Sequence, residues 1–231
     1  IAWNLLRGIT GEEPTSEQER AVDICLILHA DHELNASTFS ARVTASTESG
    51  LYSSVLSAVG ALKGGLHGGA VSPVTKMLRE IGTVNRVEPY LDCALDRHAQ
   101  IMGFGHRIDE DGDPRARILR SMSARMAGQD DGPDLFRISA RIEDLMMERM
   151  GLIANVDFDS ATVYDALGIP DDLFTCVLAA SRVAGWCAHV LEQYENNQIY
   201  RPRARYVGKP AIRAGPIRSQ RRSAAPSDRR R

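Results

Sequence analysis

The amino-acid sequence predicts an all-α protein, and three observations carry that expectation. Apolar residues recur at three- and four-residue spacing almost throughout, which places them on one face of a helix of 3.6 residues per turn. Prolines and capping residues stand at the starts of these segments, and glycines follow some of their ends. No stretch alternates apolar and polar residues as a half-buried strand would, and there is no internal repeat.

Taken in order, Ile1-Ala2-Trp3-Asn4-Leu5-Leu6 reads as the interior of a domain, as though the chain began partway through a longer protein. Ser16-Glu17-Gln18-Glu19, just after Pro14, forms a capping box, and Ala21, Ile24, Cys25 and Leu28 follow on one helical face. A second helix is expected over Ala36 to Ser46, and a third over Tyr52 to Leu62, ending at Gly64-Gly65. Residues 70–81, 87–100, 114–127 and 134–150 carry the same spacing, and Asp113-Pro114 puts proline at a favoured first helical position. After Pro170 a long helix should run from Asp171 or Asp172 to about Glu195.

At 231 residues the chain can bury a real core, as one large domain or two smaller ones. Apolar content of 43% and charged content of 25% place it among globular proteins. No apolar run approaches the length of a membrane span, and no basic-then-apolar signal opens the chain. Cys25, Cys93, Cys176 and Cys187 form no C-x-x-C pair, so a reducing cytoplasm is the expected setting. From Gly208 to Arg231, eight Lys/Arg against Asp228 give +7, leaving −9 on the remainder of a chain whose net charge is −2. That tail, rich in Ser, Ala and Pro, reads as a disordered, solvated extension rather than a nucleic-acid-binding arm.

Three separated segments hold polar residues that make chemical sense together. They are Gly64-Gly65-Leu66-His67-Gly68-Gly69, Met102-Gly103-Phe104-Gly105-His106-Arg107, and Asn155-Val156-Asp157-Phe158. Histidines in glycine-rich turns are candidate acids, bases or hydrogen-bond donors, although such a histidine is more often structural. Gly103-Phe104-Gly105 is no dinucleotide fingerprint, because no strand precedes it and the third glycine is missing. Asp157, among apolar neighbours, should be desolvated and so a better proton acceptor, with helix capping as the plainer reading. Asp159 would raise it further if both point inward, with a turn to solvent as the equal alternative. His29 and His32 could share a helical face, but Ala36 stands where the helical zinc signature needs its second histidine, so no metal is expected. Arg182 sits in the apolar run Ala179 to Trp186, where an arginine is rarely buried unpaired. Arg115 and Arg201 complete a set of forks suited to carboxylates, whereas Arg203 and Arg205 read as solvated.

These segments, with Asp31-His32-Glu33…Asn35-Ala36-Ser37, Asp113-Pro114-Arg115 and Ser181-Arg182, resemble the citrate synthase family over roughly residues 5–207. The resemblance implies an acyltransferase that condenses acetyl-CoA with oxaloacetate and hydrolyses the citryl thioester, with no metal or redox cofactor. It implies Asp157 as the base, His67 as donor to the thioester oxygen, and His106 as the group polarising the ketone. His32, Asn35, Arg115, Arg182 and Arg201 would hold oxaloacetate, Arg201 reaching the site of the neighbouring subunit in a homodimer. Leu66, Met102, Gly103, Phe104, Gly105, Arg107 and Asn155 would contact coenzyme A. The implied architecture is a large domain at 1–68 and 168–207, a small domain inserted at 69–167, and the tail at 208–231. Val71, Ala154 and Asp159 depart from the family, which usually has Asn, Pro and often Tyr there. Two alternatives follow: a 2-methylcitrate synthase using propionyl-CoA, or an inactive paralogue serving as an interaction module.

Overall fold

The computed structural model describes residues 1–104, 113–127 and 134–208. Within them the regular structure is helical, as the periodicity predicts, and the one β-type pairing is an isolated antiparallel bridge between Phe104 and Ala154. The helices are α1 (Ala2–Thr10), α2 (Ser16–Leu28), α3 (Ala36–Ser46), α4 (Leu51–Leu62), α5 (Val71–Ile81) and α6 (Val87–Asp96). After them come α7 (Pro114–Met126), α8 (Leu135–Met150), α9 (Val156–Ala166) and α10 (Phe174–Glu195).

Most boundaries fall where capping chemistry puts them. The capping box of α2 is real but one residue earlier than expected: Gln18 N donates to Thr15 Oγ1 at 3.2 Å, and Thr15 N to Gln18 Oε1 at 2.9 Å. Asp113 caps α7 ahead of Pro114. The helix expected over 87–100 stops at Asp96, because His98 takes a left-handed φ of 53°. The opening residues, read only as domain interior, form α1, with Ala2 and Leu6 buried. α9 went unread as a helix, although Asn155 is its N-cap and Asp157 and Asp159 supply negative charge to its first turn.

Residues 1–200 form one compact unit, and 201–231 a second. In the second, the described residues 201–208 carry no regular helix and are exposed, Arg201, Arg203 and Arg205 among them. The larger core of the first unit gathers α1, α2 and α5–α9 around Leu78, Leu119, Ile138 and Phe158. A smaller one joins α3, α4 and α10 through Ala41, Ala58, Leu62 and Trp186.

α10 touches both cores. Counted with the turn before it, it is long and apolar enough to span a bilayer by length and composition, against the expectation that no segment would be. Here its buried face, from Phe174 to Val190, packs against α2, α3, α4 and α5 as a core helix. It also meets the polar end of α2. Ser181 Oγ donates to Leu26 O at 2.5 Å, Arg182 Nε to His29 O at 2.6 Å, and Gly185 N to Ala30 O at 3.2 Å. These donors satisfy carbonyl oxygens around a helix terminus that would otherwise lie buried without partners.

Gly185 is what allows the approach, since a Cβ there would collide with the Ala30 carbonyl oxygen. In an open helix Gly→Ala is stabilising by about 1 kcal/mol. Gly185→Ala should instead destabilise by about 1–3 kcal/mol, the range for forcing atoms into a packed interior. Urea unfolding checks the sign, and a stabilised variant would show that the two segments do not touch.

Candidate active site

A cavity of about 380 Å³ opens where α10, the α2–α3 connection and the start of α9 converge. Its walls include His32, His67, Arg115, Asp157 and Arg182, drawn from five separate places in the sequence. Leu66, Met102, Gly103, Phe104 and Asn155 line it as well. His106, Gly105 and Arg107 lie outside the described residues. Arg201 belongs to the second unit, and Asn35 is not part of the wall.

His67 follows the turn after α4 and is half-buried. Its Nε2 is 2.9 Å from Ser37 Oγ and receives the Ser37 N–H at 3.3 Å, a proton shared with Asn35 Oδ1 at 3.0 Å. A backbone N–H can only donate, so this network assigns Nε2 as the bare nitrogen and leaves the ring proton on Nδ1. Burial, then the charges of Arg182 and His32, lower the His67 pKa and keep the ring neutral. Ser37 is itself held: its Oγ accepts from Trp186 Nε1 at 3.2 Å, and its one proton is shared between Asn35 Oδ1, 2.7 Å away, and His67 Nε2. Asn35 is thus the N-cap of α3 and the organiser of the His67 support.

The arginines differ in how they are held. Asp113, only 4% exposed, grips Arg115 in a two-point pair, with Arg115 Nε at 2.9 Å from Oδ1 and NH2 at 2.6 Å from Oδ2. Burial alone would raise the Asp113 carboxyl, but its hydrogen bonds to Arg115 hold it below the usual value. Arg182 is also 4% exposed, and its one hydrogen bond among the described residues runs from Nε to the His29 carbonyl. It has no ion pair among the described residues, and burial together with the Arg115 charge lowers its pKa. A buried guanidinium held by a single neutral acceptor, on a cavity wall, is a strong anion receptor.

The start of α9 brings Asp157 to the same cavity. Asn155 caps the helix, Oδ1 accepting from Asp157 N at 3.1 Å and Phe158 N at 3.3 Å, while Asn155 N donates to Gly103 O at 2.8 Å. Gly103 has φ +86°, and a Cβ there would lie 2.6 Å from the Phe158 ring, so the 102–104 turn seats against α9 only with glycine. Asp157, expected to be desolvated among apolar neighbours, is half-buried, and Asp159 is the more deeply buried carboxyl, 4% exposed. A two-residue step turns a helix by about 200°, which carries Asp159 away from the cavity toward α7 and α8. Burial, then the Glu143 carboxylate, pushes Asp159 up to about 8. Burial also pushes Glu143 up to about 7 in spite of its 2.5 Å ion pair with Arg120.

Sequence reading missed Ser37 and Trp186 as supports of His67, and Gly185. A glycine beside a tryptophan inside an apolar helix was the available signal for the last.

Residues 1–203 match the family model described as citrate synthase, C-terminal domain. Citrate synthase 2 of Bacillus subtilis is 51% identical over 94% of this chain and 58% of that protein. 2-Methylcitrate synthase of Shewanella oneidensis is 42% identical over the same shares, so the chain spans under three-fifths of these relatives. Among solved structures, the ternary complex of carboxymethyl coenzyme A and oxaloacetate with citrate synthase from Thermoplasma acidophilum superposes with a TM-score of 0.86. That likeness covers 94% of this chain and 59% of that one at 35% identity. The chain belongs to the citrate synthase family.

The buried carboxyls set a pH dependence. Unfolded, Asp159 titrates near 3.9, so between about pH 4 and 8 the folded chain keeps a proton that the unfolded chain has released. Stability from this group is complete below that window and is lost as pH rises through it. His29, pushed down to about 4 by burial, works in the opposite sense and below about pH 6.5. Asp159→Asn, a mimic of the protonated acid, should therefore flatten the fall in melting temperature between pH 6.5 and 8.5. Each kcal/mol recovered is worth about 2–4 °C for a chain of this size. Parallel slopes for both proteins would mean that Asp159 is already ionised in the fold.

Proposed function

We propose that this member of the citrate synthase family condenses an acyl-CoA with oxaloacetate and hydrolyses the resulting thioester. One observation carries the reading: a half-buried carboxylate, a neutral histidine with its proton on Nδ1, and an arginine with no ion pair among the described residues line a single cavity. The methyl of a thioester is a very weak acid, and a carboxylate is a weak base. Removing the proton therefore requires donors already aimed at the enolate oxygen. Asp157 takes the methyl proton while His67 Nδ1–H stabilises the oxygen as charge develops on it. Arg182, with Arg115 and His32, holds the two carboxylates of oxaloacetate, and His106 polarises the ketone attacked by the new carbon. Arg115 has a partner already, so its contribution is a fixed positive edge, whereas Arg182 supplies the unspent charge.

The acyl group is the narrower question. A 2-methylcitrate synthase stands among the relatives, and one methylene in an apolar pocket is worth only about 1–3 kcal/mol. Acetyl-CoA is the proposed substrate, as the name of the more similar Bacillus relative suggests. The acyl-CoA is a substrate, so the proposal includes no resident cofactor.

We also propose a homodimer of two-domain subunits, with 69–167 as the small domain and Arg201 completing the partner's site. Its support is an apolar surface on α4, where Tyr52, Leu56 and Val59 are exposed. A cytoplasmic setting fits the four free cysteines, Cys93 and Cys176 exposed among them.

The test is oxaloacetate-dependent release of free coenzyme A by the 231-residue chain. Release should be faster from acetyl-CoA than from propionyl-CoA, and the reverse order would assign the methylcitrate reaction. Asp157→Ala should lower kcat about 10²- to 10⁴-fold, the usual worth of a positioned base. It should leave stabilisation by oxaloacetate intact. Full turnover in that variant would remove Asp157 from the role of base.

A further inference from the structure

His29 lies outside the proposed chemistry, yet its side chain is almost wholly buried beside the cavity, at 1% exposure. It follows the last residue of α2, and its ring and carbonyl make three connections. Its Nδ1 lies 2.8 Å from Cys25 O, and since a carbonyl can only accept, Nδ1 carries the proton. Its Nε2 lies 3.0 Å from Ser160 Oγ, on the second turn of α9. Its own carbonyl oxygen takes the 2.6 Å bond from Arg182 Nε. Burial pushes the ring down to about 4, so it stays neutral at physiological pH with Nε2 bare.

A bare Nε2 needs a donor, and the Ser160 hydroxyl is the one in reach. That hydroxyl has a second acceptor, Val156 O at 2.6 Å, in the preceding turn of the same helix. Its proton is shared between the helix that carries Asp157 and the end of α2. A methyl in place of the hydroxyl would leave Nε2 buried without its bond from Ser160.

We infer that His29 is a positioning residue: its ring and its carbonyl tie the Asp157 helix and the Arg182 guanidinium to one point at the end of α2. This rests on the condensation reading for its kinetic consequence, though not for the tie itself. The two ends of the proposed reaction would then be registered through a single residue. Side chain and backbone act on different groups, so a substitution at 29 or 160 reaches α9 while leaving the carbonyl that holds Arg182 in place. The effect should fall on kcat, which needs Asp157 in line, and spare the KM for oxaloacetate.

Isosteric replacements separate the connections. Asn at 29 can reproduce the Nδ1 donor to Cys25 O but does not reach Ser160, whereas Gln places an amide near the Nε2 position. Ser160→Ala removes one oxygen and nothing else. Ser160→Ala and His29→Asn should each lower kcat about tenfold with the oxaloacetate KM within twofold, and their combination should cost no more than either alone. His29→Gln should recover most of the loss. In parallel, amide hydrogen exchange across residues 157–164 should quicken in His29→Asn and Ser160→Ala and return toward the parent rate in His29→Gln. Unchanged exchange in Ser160→Ala and His29→Asn overturns the inference, and so does an equal loss in all three variants. An unsubstituted chain without turnover would refute the condensation reading, and the exchange rates would still decide the tie on their own.

Discussion

The structure turns on how the end of α2 is satisfied. A helix that stops inside a protein leaves carbonyl oxygens without intrahelical partners, and a buried carbonyl without a donor costs on the order of 1–3 kcal/mol. Leu26, His29 and Ala30 present such oxygens, and α10 answers them with Ser181 Oγ, Arg182 Nε and the Gly185 N–H. Three donors within five residues of one helix demand close contact along a full turn, and Gly185 removes the Cβ that would forbid it. Arg182 is therefore committed by its Nε to structure, and the rest of its guanidinium is presented to the cavity. The residue that closes the fold is the one that brings a positive charge to the cavity wall.

The same contact orients His67. Trp186, one residue beyond Gly185 and fully buried, donates to Ser37 Oγ, which stands beside His67 Nε2. Ser37 sits in the first turn of α3, whose cap is Asn35. The orientation of His67 thus runs back through Ser37 to α10, and its tautomer is chosen by a backbone N–H that has no alternative but to donate. A neutral histidine with a defined proton is a hydrogen-bond donor of fixed direction, which is what the enolate oxygen of the proposed reaction would need and what a freely titrating ring would not supply.

How far the sequence made this visible depends on which physical signal each residue carries. The 3.6-residue periodicity made the helices legible, and α3 matches its expected limits from Ala36 to Ser46 because Asn35 is an unambiguous cap. α9 escaped because it is buried on nearly every side from Phe158 to Tyr164, so no polar face alternates with an apolar one and only its cap marks it. His32, His67, Arg115, Asp157 and Arg182 were legible as candidates from motif resemblance, and the structure brings them to one cavity. Their supports were not, since Ser37, Trp186 and Gly185 act through contacts about 150 residues apart in sequence, to which local periodicity is blind. The tie from His29 to Ser160 spans 131 residues and is hidden for the same reason.

The pair Asp157 and Asp159 shows where local reasoning stops. In a strand, residues two apart face the same side and two carboxylates would repel directly; on a helix the same spacing sends them to nearly opposite faces. Because 155–166 is a capped helix, one carboxylate meets the cavity with its neutral histidine and the other meets Glu143 and Arg120 between α7 and α8. Glu143 is paired with the partly exposed Arg120 while Asp159 has only its charge nearby, so burial and mutual repulsion keep protons on the two carboxyls toward neutral pH. Those protons make the back of α9 tolerable inside a core. Asp157, on the opposite face, lines the cavity. One helix can present an ionised group to a ligand on one face and bury a protonated one on the other only if its register is held, and the bond from Ser160 to His29 lies one turn from Asp157, where a slip would first be felt.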